Sequence, residues 1–109
     1  MIWQERREQP RSSLAMPARV RRLTHSQSAV VRDLSIAGCK LETTGFSLEH
    51  GNRVLIRPAG FESLLGTVIW ASEGQFGVKF DEELGQSTVD QFCLMFPDFG
   101  TAVLLDIAA

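Results

Sequence analysis

The feature that most constrains this chain is a period-two alternation of apolar and polar residues, repeated in short runs between turn signals. Leu14, Met16, Ala18 and Val20 fall on one face while Arg19 and Arg21 fall on the other, the pattern of a half-buried β-strand. Pro17, which cannot donate to a strand ladder, assigns that run to an edge or a bulge. His25-Ser26-Gln27-Ser28 reads as a polar turn, and Ala29 to Leu34 as a second, β-branched strand. After a tight break at Ile36-Ala37-Gly38, the residues Cys39, Leu41 and Thr43 alternate with Lys40 and Glu42. Arg53 to Arg57 puts Val54 and Ile56 on one face, and Leu64 to Ser72 is rich in Val, Ile and Trp, with Trp70 read as core. Phe76, Val78 and Phe80 alternate with Gly77 and Lys79, after a hairpin signal at Glu73-Gly74-Gln75. Six short strands spaced by turns predict an antiparallel barrel or sandwich. Closure into a barrel removes the exposed edges that promote association.

One run breaks the period. Ser87-Thr88-Val89-Asp90 has the form of a capping box, and Val89, Phe92, Cys93 and Phe96 follow at helical spacing until Pro97. The expected architecture is therefore all-β with one short C-terminal helix over an end of the barrel. Residues 1–13, polar and aperiodic, read as an N-terminal arm or loop, residues 14–98 as the barrel and helix, and residues 99–109 as a tail. No apolar stretch approaches the ~20 residues of a membrane span. The opening Met-Ile-Trp-Gln-Glu-Arg-Arg lacks a signal-peptide core, so a cytoplasmic location is expected. Cys39 and Cys93, far apart, read as small apolar residues in a reducing compartment rather than as metal ligands or a disulfide.

Catalysis finds little support. His25 and His50 lie in polar turns with no partner motif, and Asp81, Glu82 and Glu83 read as a solvated acidic turn. There is no phosphate-binding loop or dinucleotide fingerprint. No catalytic residue, metal or cofactor is expected.

Charge is unevenly spread. Residues 1–32 hold seven arginines against Glu5 and Glu8, whereas residues 33–109 hold Lys40, Arg53, Arg57 and Lys79 against eleven acids. The cations are mostly arginines, whose planar forks match phosphates and base edges. Two segments focus this signal. The arm carries Arg6, Arg7 and Arg11, and a strand–turn–strand junction carries Asp33-Leu34-Ser35-Ile36-Ala37-Gly38. Alternation sets Asp33 and Ser35 on one face and Arg32 on the other. Gly38 permits a tight turn or a close approach of ligand to backbone.

Arg7-x-x-x-Arg11 followed by Asp33-x-Ser35-x-x-Gly38 resembles the signature of the PilZ domain, and Gly66 to Trp70 with Gly77 to Asp81 resembles that family's paired late strands. The resemblance spans roughly Arg6 to Phe96. It implies a six-stranded antiparallel β-barrel of split-barrel type with a helix, and a receptor for the bacterial second messenger cyclic di-GMP. Arg7 and Arg11 would then contact guanine edges and phosphates, and Asp33, Ser35 and Gly38 would hold a guanine on the barrel surface. Arg6, just ahead of the motif, implies two intercalated ligand molecules per chain. The receptor would signal through a protein partner that the sequence does not name, by closing its arm on the barrel. Two other readings are a PilZ adaptor that binds protein without nucleotide and a small nucleic-acid-binding barrel. The acidic body, without aromatic residues interleaved among the cations, argues against the last.

Overall fold

A computed structural model of the chain describes residues 12–98. Six strands, β1 (Ser12–Arg22), β2 (His25–Leu34), β3 (Gly38–Glu42), β4 (Arg53–Pro58), β5 (Leu64–Ser72) and β6 (Gln75–Phe80), precede one helix, α1 (Gln86–Met95). The strands form a closed antiparallel barrel in the order β1-β2-β3-β6-β5-β4, with β1 pairing β4 to complete the ring.

The alternation explains the closure. Leu14, Met16, Ala18 and Val20 of β1, Val31 of β2, Leu41 of β3, Val54 and Ile56 of β4, Val68 of β5 and Val78 of β6 all point into one buried interior. Each fully buried aliphatic side chain contributes about 1.5–3 kcal/mol, so a slip of one residue in any strand would expose its whole inner row. Pro17 sits where the β1–β4 ladder begins, one residue before the Ala18–Pro58 pair, so its missing N–H breaks no β1–β4 bond.

β3 and β4 differ from the sequence expectation by one residue at their ends, and three other boundaries differ more. β1 starts at Ser12 rather than Leu14. His25 to Ser28 is strand, not turn: the β1–β2 pairing runs to Arg22–His25, and Leu23, with a positive φ of 56°, turns the chain with Thr24. These residues are polar because this end of the ribbon is largely solvated, so no alternation marks it. The helix is also not held by the expected capping box. Gly85 is the N-cap, with no side-chain cap, and its carbonyl accepts from the N–H groups of Thr88 and Val89. Ser87 thus falls inside the first turn, and Asp90 accepts from Gln86 one turn earlier at 3.0 Å. Two interactions fix that phase. Leu84 N–H bonds the Ile36 carbonyl at 2.8 Å, and Val89 and Phe92 reach the core, where Phe92 meets Phe61 edge-to-face with centroids 4.6 Å apart. At the other end of α1 the Phe96 carbonyl accepts from Ala15 N–H of β1.

Candidate functional site

β2 carries an irregularity that shapes the candidate site. Its inward residues Ala29 and Val31 predict that Asp33 also points inward. Between Val31 and Asp33, however, the register slips against both neighbouring strands. Arg32 and Asp33 are both left partly exposed, and Leu34 takes the next inward place. A bulge of this kind re-aims a side chain, and here it turns a carboxylate out of the core. The expectation that Arg32 and Asp33 lie on opposite faces is corrected by that slip.

Outside the barrel, cross-strand pairing lines up Ser13, Asp33, Lys40, Gly77 and Trp70 in one row. Lys40 Nζ stands 3.7 Å from the Asp33 carboxylate. A Cβ at Gly77 would overlap the indole of Trp70, so the ring packs directly on the glycine backbone. Trp70 is therefore half-buried on the outer wall rather than in the core, displaced by a second register slip between Val68 and Trp70. Beside the row, Arg32 Nε donates to Glu42 at 2.9 Å and Gln75 donates to the other Glu42 oxygen at 3.2 Å. Asp98, beyond α1, lies 3.6 Å from Arg32 and ties the end of the described chain back to β2.

Ser35 and Gly38 have structural duties. Ser35 is 2% exposed, not side by side with Asp33 on a presented face. Its hydroxyl accepts from Ala37 N–H at 3.2 Å and its N–H donates to the Gly38 carbonyl at 2.9 Å, closing the β2–β3 turn. Phe80 N–H reaches the Ala37 carbonyl at 2.8 Å, which fastens the turn to the end of β6. Gly38 has no positive φ. A Cβ there would overlap the Val78 carbonyl oxygen, so β3 and β6 approach at a distance only glycine permits. Cys39, buried behind this turn, has its thiol pushed up to about 12, by burial first and the Asp33 charge second.

Of the six residues singled out from sequence, Ser35 and Gly38 build this turn and Asp33 stands just before it on the outer wall, while Arg6, Arg7 and Arg11 lie outside the described residues. Lys40 and the Arg32–Glu42–Gln75 group were not foreseen, because their places depend on register across the bulge. Among the described residues no group of His, Cys, Asp or Glu is arranged to hold a metal ion, and no helix is long and apolar enough to cross a membrane.

The structure is thus a small closed barrel with one helix and an outer row running from Ser13 through Asp33 and Lys40 to Trp70. A family model, the PilZ domain, matches residues 5–94, and the chain belongs to that family. PilZ domains are non-catalytic receptor and adaptor modules. Among solved structures, the chain is similar to the PilZ domain of CeSA from a cellulose synthesizing bacterium. The TM-score is 0.56 at 20% identity over 78% of this chain and 91% of that one, a likeness of fold. No curated protein matches it.

Proposed function

We propose that this PilZ domain is a receptor for cyclic di-GMP whose arginine-bearing arm closes over the Asp33 row when ligand binds. One observation carries the reading: Ser12 pairs with Leu34 and Ser13 with Asp33, so the chain enters the barrel beside the re-aimed carboxylate. Arg11 is bonded directly to Ser12, and Arg7 and Arg6 follow within about 20 Å of extended chain. The acid and the arginine motif are thereby tethered to one rim.

The chemistry of the ligand fits these groups. Its two phosphates and the O6/N7 edges of its guanines accept from arginine forks, and guanidinium planes stack on purines. The N–H donors of a guanine suit a carboxylate, which is why a site for an anion includes Asp33. Lys40 beside it adds a cation for a phosphate. Ser35 and Gly38 act by holding the turn in shape, and Arg6 provides for a second ligand molecule. Binding then becomes a signal because an arm held at one end is drawn onto the wall.

Calorimetric titration with cyclic di-GMP of the wild type, Arg11→Ala and Asp33→Ala tests the assignment. The wild type is expected to bind two ligands per chain, and each variant to bind about tenfold to a hundredfold more weakly. Unchanged affinity in both variants refutes the site, and a stoichiometry of one refutes the role given to Arg6. Tryptic cleavage after Arg7 and Arg11 should slow with ligand bound; equal cleavage rates argue against arm closure.

A further inference from the structure

The outer face of β1, β4 and β5 carries a second feature, about 20 Å along β1 from Ser13. Arg19 and Arg57 are direct cross-strand partners, and the adjacent row is Arg21, Leu55 and Leu65. Arg19, Arg21, Thr24, Ser26, Leu55 and Arg57 line a groove in this face. Among the described residues the three guanidiniums bond only neutral acceptors. Arg19 reaches the hydroxyls of Ser26 (3.1 Å) and Ser28 (2.9 Å), Arg21 the Leu23 carbonyl (3.1 Å) and Arg57 the Ser63 hydroxyl (3.5 Å). Among the described residues no carboxylate pairs with any of them, whereas Arg32 faces Glu42 and Asp98, and Arg53 faces Asp81. Like charges directly opposite on paired strands repel, so the fold keeps Arg19 against Arg57 at a cost. Leu65, 49% exposed, continues the groove's Leu55 as an apolar strip running out from the cations.

We propose that this face docks an acidic segment of a partner protein, with carboxylates on Arg19, Arg21 and Arg57 and an apolar side chain on Leu55 and Leu65. Charge complementarity selects the acidic partner, and the leucine pair selects protein. A phosphate backbone gains nothing from covering leucine, and three arginines fall short of the roughly six to ten phosphate contacts of a strong nucleic-acid binder. Because Leu55 lies within the groove, an inserted side chain reaches it better than a bilayer surface does. The neighbouring spacing of Arg19 and Arg21, about 7 Å, matches acids at alternate positions of an extended segment. This surface is separate from the proposed nucleotide site and does not depend on it.

Fluorescence anisotropy with the full chain and a labelled peptide of alternating glutamate and leucine tests the proposal at low ionic strength. The peptide is expected to bind, and a peptide with serine for leucine to bind markedly more weakly. The Arg19→Ala/Arg57→Ala double variant should lose about tenfold or more in affinity, as should Leu65→Ser. The double variant should melt no lower than the wild type, since it loses a repulsive pair, and should titrate with cyclic di-GMP as the wild type does. Absence of peptide binding overturns the proposal, as does binding that survives the double substitution or is equal for the serine peptide. Tighter binding of oligothymidylate or of phosphatidylserine vesicles overturns it in favour of a nucleic acid or a membrane. Self-association abolished by the double substitution overturns it in favour of a second copy of the chain.

Discussion

Replacing Gly38 by alanine separates two reasons for a glycine at the end of the Asp33–Gly38 motif. If glycine is there to let a ligand approach the backbone, alanine lowers affinity and leaves the fold intact. With an ordinary φ it would even stabilise, by about 0.4–1 kcal/mol through the unfolded chain. The structure predicts the opposite, because the new Cβ meets the Val78 carbonyl oxygen, with the β6 main chain at Val78 and Lys79 directly behind it. No side chain is available to rotate away, so β3 and β6 must part by roughly an ångström, a gap that forfeits much of their contact. Overpacking of this kind costs about 1–3 kcal/mol. Parting the strands also weakens bonds near the Gly38–Lys79 pair and the 2.9 Å Ser35–Gly38 turn bond, each worth about 1 kcal/mol. A total of about 2–4 kcal/mol corresponds to a fall in Tm of roughly 10–25 °C for a domain of this size. Thermal unfolding followed by far-ultraviolet circular dichroism reads it directly. An unchanged or raised Tm together with weakened cyclic di-GMP binding would refute the close-approach argument and assign Gly38 to the ligand.

Other consequences are simpler to read. Burial holds the Cys39 thiol near 12 and also raises that of the half-buried Cys93, so an alkylating reagent at neutral pH should label Cys93 slowly and Cys39 only on unfolding. Native-state labelling of Cys39 as fast as Cys93 contradicts this. Because the folded Cys39 value lies above the ordinary 9.0, its contribution to stability is complete below pH 9 and should fade as the pH climbs toward 12. Arg53 grips Asp81 through two bonds of 2.6 Å and holds its carboxyl below the usual range, mainly by that hydrogen bonding. A depressed carboxylate stabilises above its unfolded value and loses the effect in acid. The stability gap between wild type and Asp81→Asn should therefore be present at neutral pH and close as the pH falls below the carboxylate range; a gap independent of pH rules the pair out as its source.

The alternating runs from Leu14 to Val20, Cys39 to Glu42, Arg53 to Arg57 and Phe76 to Phe80 were enough to announce an all-β chain, since a strand buried on one face must write its pleat into its residue order. Helical spacing through Val89 and Phe92 announced α1 in the same way. Where no face is buried, that writing stops, and the solvated stretch from His25 to Ser28 looked like a turn although it continues β2. Capping residues misled for a related reason: Ser87 and Asp90 have the right types, but packing of Val89 and Phe92 and the anchor at Leu84 decide where the first helical turn begins.

For the candidate site, residue types and order are local information, so Asp33, Ser35 and Gly38 are legible as a motif once set beside the arginines in a resemblance to the PilZ signature. Their directions are not. Strict alternation sends Asp33 into the core with Val31; only the slip of register against β1 and β3 at Arg32 turns it outward, beside Lys40 and the entry of the arm at Ser12. The same holds for Arg19, Arg21 and Arg57: alternation sets Arg19 and Arg21 on the outer face of one strand, but only the closing β1–β4 ladder brings Arg57 beside them. Periodicity belongs to a single strand and survives in one sequence, whereas register, bulges and barrel closure are relations between strands, settled only when buried side chains from all six must share one interior.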